Sequence, residues 1–297
     1  MLKNLLNLLT LLAIFSGASF AKPKPVPENL DRVWKKDFTA PRTMDKIHVV
    51  NWNIDRGTHF DQIAAALERE NPDLCFLQEV DLTARRSGGR NVSEELARRL
   101  QLNYAFAPEF QELSQGTTEQ PSFQGEAILT RLPMHNVRIL RFKEQSGFWQ
   151  PHAYLPNLPI MQRRLGGRIA LVAELELANG GMMVVYNAHL ESRSFGHIQA
   201  VQLDEILEDA KRYPENTPIV LAGDLNTKYN PWTFSSKLRR AGWTSAFGKR
   251  TPRTHILVCA LDWVVVRGAV KIESGKVLRG IGASDHFPIT ADLFRGP

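Results

Sequence analysis

Six places in the chain set oxygen and imidazole donors against apolar runs. They are Asn53 and Asp55 after HVVNW, Glu79 after CFLQ, Asn187 and His189 ending MMVVYNAH, Asp224 and Asn226 after PIVLAG, Asp262 before WVVV, and Asp285 with His286 before FPITADLF. A set rich in hard oxygen donors, with no Cys and few His, suits Mg2+ or Mn2+, which takes one or two carboxylates, keeps several waters and completes its shell from a substrate phosphate. Zinc is the poorer match. A phosphoryl group held by such an ion beside a carboxylate and a histidine is arranged for hydrolysis: the ion offsets negative charge, the carboxylate activates water, and the histidine stabilises or protonates the departing oxygen. No GxSxG, P-loop, HExxH or GxGxxG motif is present, so serine hydrolase, nucleotide triphosphatase, zincin and dinucleotide-binding chemistry lack their entry points.

Strands are expected to carry most of these donors. The runs IHVVNWN, DLCFLQEV, AILT, IALVAELEL, MMVVYNAHL, TPIVLAGDLN, LDWVVVR and FPITADLF read as strands, IALVAELEL buried on one face and TPIVLAG on both. Helices are expected at DQIAAALERE, at EELARRL capped by Ser93, at His197 to Arg212, and at WTFSSKLRR opened by Asn230-Pro231. Strands alternating with helical crossovers imply mixed sheets covered by helices, an α/β fold. Ligands gather at the carboxyl ends of strands in such sheets. Asp262, Asp285 and His286 precede their strands, and they share that rim only if those strands run antiparallel to the others.

The first twenty-one residues differ from the rest: one Lys, an apolar stretch from Leu8 to Phe15, then small residues Ser19 and Ala21. This order predicts a signal peptide cleaved after Ala21 and export across a membrane; the stretch is far short of the ~20 apolar residues that span a bilayer. Residues 22–45, with four prolines, three of them in the first six residues, read as a linker or extension outside the core, and residues 46–297 as one catalytic domain. The formal net charge of +6 is compatible with a phosphate-bearing substrate and does not identify one. Cys75 and Cys259 lie in apolar runs, as buried free thiols or a single bridge. Nothing implies a stable protein partner, and a monomer is expected.

NWNID, LQEVD, GEAILTRLP, NAHLES, AGDLN, LDWVVV and SDHFPI occur in the order and with the separations of the endonuclease/exonuclease/phosphatase superfamily. The chain resembles it from about Ile47 to Leu293. The resemblance implies a four-layer sandwich of two mixed β-sheets flanked by helices. It implies that Asn53 and Glu79 hold the metal, with Asp285 approaching it and Asp55 either contacting the metal or its waters or lying on the surface. His189 resembles the histidine on the scissile phosphate, and Asn187 in the same motif is expected at the substrate. Asp224 resembles the residue that favours hydroxide formation, and Asn226 the donor to a phosphoryl oxygen. Asp262 and His286 resemble a carboxylate–histidine dyad in which the Asp sets the tautomer and raises the imidazole pKa.

Glu126 departs from the pattern, since the family often has Asn there. A carboxylate would need an Arg partner or would recruit metal. Arg163, Arg164 and Arg168 either neutralise a phosphate or form a solvated edge, and the segments Phe110 to Phe123 and Ser146 to Pro159 read as loops. His48, His59, His135, His152, His197 and His255 match no motif and read as structural or surface residues. The function expected is a secreted, metal-dependent phosphodiesterase acting on nucleic acid or a phospholipid head group, the alternatives being a phosphomonoesterase or a binding protein on the same fold. A lipid enzyme should expose an apolar patch, for which Phe148-Trp149 is the candidate.

Overall fold

A computed structural model describes residues 28–148, 164–178, 180–257 and 260–296. In chain order the elements are β1 (Trp34–Lys36), β2 (Lys46–Arg56), α1 (Phe60–Glu70), β3 (Leu74–Leu82), α2 (Val92–Leu100), β4 (Asn103–Glu112), β5 (Phe123–Thr130), β6 (Met134–Arg141) and β7 (Arg164–Gly166). They continue with β8 (Ile169–Glu176), β9 (Met182–His189), α3 (His197–Ala210), β10 (Ile219–Asp224), α4 (Pro231–Arg240), β11 (Thr244–Ser245), β12 (Asp262–Arg267), β13 (Val270–Val277) and β14 (Ile289–Arg295).

Two sheets form, one ordered β1-β4-β5-β3-β2-β14-β13 with β7 joined to β4, the other β11-β12-β10-β9-β8-β6. Alternation along each strand sorts its side chains into layers. Val49, Phe76, Ile128, Val185, Val220 and Val264 meet between the sheets. Val50, Trp52 and Leu77 face outward under α1 and α2 with Leu67 and Leu96. Tyr186, Leu221 and Val265 face α3 and α4 with Ile206 and Leu238. The result is the expected four-layer α/β sandwich of two mixed sheets.

All eight strands read from sequence are present, and both conditional strands run the required way: β12 is antiparallel to β10 and β14 antiparallel to β2. Four expectations change. IALVAELEL is buried on both faces over its first five residues, because Ala170 and Val172 are covered by the helical layer. The helix after β3 starts earlier than expected, and its cap is Asn91, whose side chain accepts from Glu94 N, rather than Ser93. Phe110 to Glu112 continue β4 instead of opening a loop. The extension is not outside the core: Leu30 is fully buried, Trp34 packs on Phe106 and Phe123, and β1 pairs with β4. It covers what would otherwise be an open sheet edge. Cys75 is a buried free thiol; Cys259 lies outside the described residues, as do the leader and His152.

Candidate active site

The inter-sheet columns that carry the core become polar at one end. Val49 is followed on its face by Asn51 and Asn53, Val185 by Asn187 and His189, and Ala222 by Asp224. Asp262 precedes Val264, Ala107 precedes Glu109, and Glu126 precedes Ile128. Parallel β9 and β10 bring His189 and Asp224 into register, and antiparallel β12 sets Asp262 opposite Asp224. Gly223 makes the close approach possible: a Cβ there would stand 1.8 Å from the Ala188 carbonyl oxygen, at φ +148°.

Irregular backbone aims the rest. Asp55 and Glu79 both have left-handed φ, at 42° and 52°, where the β2–β3 and β3–β5 pairings shift register. Such bulges redirect a side chain out of the pleat, and strain of this kind collects at functional sites. Two motifs latch together across β2 and the β14 entry. Trp52 Nε1 donates to the His286 carbonyl (2.9 Å), and Ser284 Oγ donates to the Asn53 carbonyl (2.7 Å) while accepting from His286 N.

His286 Nδ1 lies 2.9 and 3.1 Å from the two oxygens of Asp262, and its Nε2 faces Asp224 Oδ2 at 3.6 Å. Burial lowers the imidazole pKa, but Asp262 and Asp224 outweigh it and hold it up at about 10. The ring is therefore cationic at neutral pH. Thr254 Oγ1 accepts from Asp262 N and Leu261 N and so fixes the start of β12. Burial pushes the Asp224 carboxyl up to about 6 against the pull of His286. Asn53 Nδ2 donates to Asp224 Oδ2 (3.1 Å). Asn226, with φ 49°, gives its backbone N–H to Asp224 Oδ1 and its amide to the Leu190 carbonyl.

Burial raises the Glu79 carboxyl, but the Arg56 guanidinium, with Arg168 and Arg164 behind it, outweighs it and holds Glu79 well below the usual carboxylate range. Arg56 is paired to both Asp55 and Glu79, so this corner is built to hold positive charge. Burial raises Asp55, with Glu79 and Asp285 adding to the effect against Arg56. Glu79, Asp55 and the Asn53 amide oxygen are hard donors of the kind a divalent cation takes; Arg56 bridges the two carboxylates, and Asn53 Oδ1 accepts from Asp55 N at 3.2 Å. Asp285 sits beside this set with Oδ2 3.2 Å from His255 Nε2.

His189 is fully enclosed. Its Nε2 is 3.6 Å from Asp224, and its Nδ1 is 3.6 Å from Glu109 and 3.7 Å from Glu126, with no hydrogen bond. Burial, reinforced by Arg168, drives its pKa well below the ordinary value and keeps it neutral. Among the described residues Glu126 has neither an Arg ion pair nor a hydrogen bond, and burial with Glu109 beside it raises its carboxyl well above the usual range. The departure from Asn is thereby accommodated as an uncharged acid.

Three expected substrate contacts are revised. Asn187 spends its amide on the carbonyls of Leu77 and Ala127 and its oxygen on Gln78; it ties the two sheets together and has nothing left for substrate. Arg164 is buried, paired with Glu112 at 2.6 Å and stacked on Phe110, and Arg168 is paired with Glu109 at 3.0 Å. Both are structural because a buried guanidinium is tolerated only when matched. Arg163 lies outside the described residues. Sequence reasoning missed His255, Glu109 and Thr254. Glu109 was legible in principle from the A-x-A-x-E alternation of β4, whereas His255 and Thr254 sit on a loop without periodicity.

The family model for Endonuclease/Exonuclease/phosphatase matches residues 50–286. The chain belongs to that family. No curated protein matches it. Solved structures share the fold. An endonuclease/exonuclease/phosphatase from Beutenbergia cavernae is 21% identical, with TM-score 0.62 over 85% of this chain and 72% of that one. The catalytic domain of human nocturnin, bound to sulfate, is 18% identical with TM-score 0.61, covering 91% of this chain and 100% of that one. ANGEL2, described as a 2',3'-cyclic phosphatase, is 15% identical with TM-score 0.59, covering 84% and 95%.

Proposed function

We propose that this family member is a divalent-metal-dependent phosphodiesterase that hydrolyses its substrate by in-line attack of water, the substrate being nucleic acid or a phospholipid head group. The observation that carries this reading is the cationic His286, held by Asp262 and facing Asp224 beside the Asn53–Glu79 corner. Mg2+ or Mn2+ at Asn53 and Glu79, with Asp55 and Asp285 alongside, would neutralise phosphate charge there. Asp224 is placed to take a proton from the attacking water. The His286 imidazolium stabilises charge growing on the departing oxygen, more strongly in the transition state than in the bound substrate. Neutral His189 adds a ring donor without repelling a cation.

The test is hydrolysis of plasmid DNA, sphingomyelin, bis-p-nitrophenyl phosphate and p-nitrophenyl phosphate with Mg2+, with Mn2+ and with excess EDTA. Diester turnover should vanish in EDTA and fall on the order of 10²-fold or more in Glu79→Gln, the scale for removing one electrostatic element of a site. Full turnover in EDTA overturns the metal assignment, and cleavage of the monoester alone would favour the phosphomonoesterase alternative. We further propose export, on the leader of residues 1–21. Mass spectrometry should find Lys22 as the mature amino terminus, and an intact Met1 would refute cleavage.

A further inference from the structure

Large apolar side chains left exposed on this protein are not scattered. Among the described residues eight are exposed, and six of them are Phe148 (59%), Phe195 (83%), Tyr229 (53%), Trp232 (66%), Ile256 (49%) and Leu257 (82%). All six stand at one end of one sheet. Phe148 follows β6, Phe195 follows β9, Tyr229 follows β10 with Trp232 in the first turn of α4 beyond it, and Ile256 and Leu257 precede β12. With β6, β9 and β10 running one way and β12 the other, these residues share the edge beneath which His189, Asp224 and Asp262 lie buried.

Contacts tie neighbouring loops of this crest together. Arg193 lies 4.5 Å over the Phe148 ring, Phe195 meets Tyr229 at 5.3 Å, Lys228 reaches the Ser192 carbonyl at 2.7 Å, and Thr227 donates to the Ala260 carbonyl. Beyond Leu257 the surface turns basic. Lys249, Arg250, Arg253, Lys276 and Arg279 are exposed and none has an ion pair among the described residues; Arg250, Lys276 and Arg279 line one shallow pocket. Scattered exposed apolar residues need no explanation, whereas a row of them beside a catalytic opening marks a contact surface.

We infer that this crest docks the mouth of the site onto an anionic phospholipid bilayer, the apolar tips entering the interface and the flanking cations meeting the head groups. Exposed Trp, Tyr and Phe beside Lys and Arg suit the boundary between head groups and acyl chains, and each cation close to an anionic leaflet adds to the attraction. A single-stranded nucleic acid would instead need open aromatic faces for its bases. Here the chain's own Arg193 covers Phe148 and its own Lys228 lies 5.3 Å over Tyr229, and Ile256 and Leu257 have no ring to stack, which leaves Phe195 and Trp232 as the two of the six that could take a base. The inference does not depend on the catalytic reading, because docking is measured without turnover.

The experiment is co-sedimentation of the exported protein, its amino terminus verified by mass, with phosphatidylcholine vesicles and with phosphatidylcholine/phosphatidylglycerol vesicles. The protein should pellet with the anionic vesicles and much less with the neutral ones. Phe195→Ser/Leu257→Ser should bind at least ~10-fold more weakly, since it deletes two buried apolar anchors, yet hydrolyse bis-p-nitrophenyl phosphate at the parent rate. Arg250→Glu/Lys276→Glu should weaken binding to anionic vesicles only. Failure of the parent protein to pellet at low salt, or equal pelleting of the Ser variant, overturns the inference. So does a fluorescent single-stranded oligonucleotide that binds the parent, competes with vesicles and is lost in the Ser variant.

Discussion

His286 is the ring on which the proposed chemistry turns, and its charge is made by Asp262 rather than by the ring itself. His286→Ala should lower kcat by ~10²-fold or more with little change in KM, the signature of a group that acts on the transition state. Asp262→Asn can still hydrogen-bond the ring but no longer favours its charged form. Because the folded imidazole titrates at about 10, activity that needs the cation persists below that pH and is lost above it. In Asp262→Asn the alkaline limb of the kcat/KM profile should fall by ~1 unit or more. An unchanged limb in a folded variant would remove His286 from the proposed role. The neighbouring histidine shows how far surroundings decide: His189 shares Asp224 with His286 but is driven neutral by burial and Arg168.

Helix α2 shows what a local pattern can and cannot specify. Ser93, with Glu beyond it, reads as a cap, yet the side chain that accepts the orphan N–H is that of Asn91, and Ser93 Oγ donates to Asn91 instead. Asn91→Ala should therefore cost about 1 kcal/mol of stability, the usual loss of a cap, measured by urea unfolding, and Ser93→Ala should cost less. A larger loss at Ser93 would return the cap to it. At α4 the same logic was legible, since Asn230 accepts from Thr233 N and Pro231 occupies the first turn. The strands differ in a comparable way. TPIVLAG declares its double burial by composition, whereas β4, with Glu109 and Glu112 pointing into enclosed space, conceals its alternation because two of its buried residues are acids matched by Arg168 and Arg164.

At the scale of the molecule, the extension before β2 belongs to the sandwich. Leu30 is fully enclosed among residues of the outer layer and its carbonyl accepts from Arg141. Leu30→Ala should destabilise the protein by ~2–5 kcal/mol, as core truncations do, with a matching fall in Tm by calorimetry. A change within ~0.5 kcal/mol, the range of surface substitutions, would show the extension to be detachable.

The series of strands that end in polar residues, and the order of their motifs, are legible in the amino-acid order alone. Each depends on alternation within a few residues, and alternation survives without knowledge of any partner. Asn53, Glu79, His189, Asp224, Asp262 and His286 were named from those ends, and the sandwich brings them to one rim. Which polar ends gather at the rim and which hold the sheets together depends on how the two sheets pack. Asn187 and Asn53 look alike in sequence, but one bonds three groups that tie the two sheets together and the other bonds Asp224 and the Asp55 backbone at the polar end. The arginines followed the same rule, since an Arg is free to meet a phosphate only if no buried carboxylate claims it, and Glu109 and Glu112 arrive from a strand some fifty residues away in the chain. His255 joined the site because a loop folds back against Asp285 and His286, a contact that no local pattern encodes.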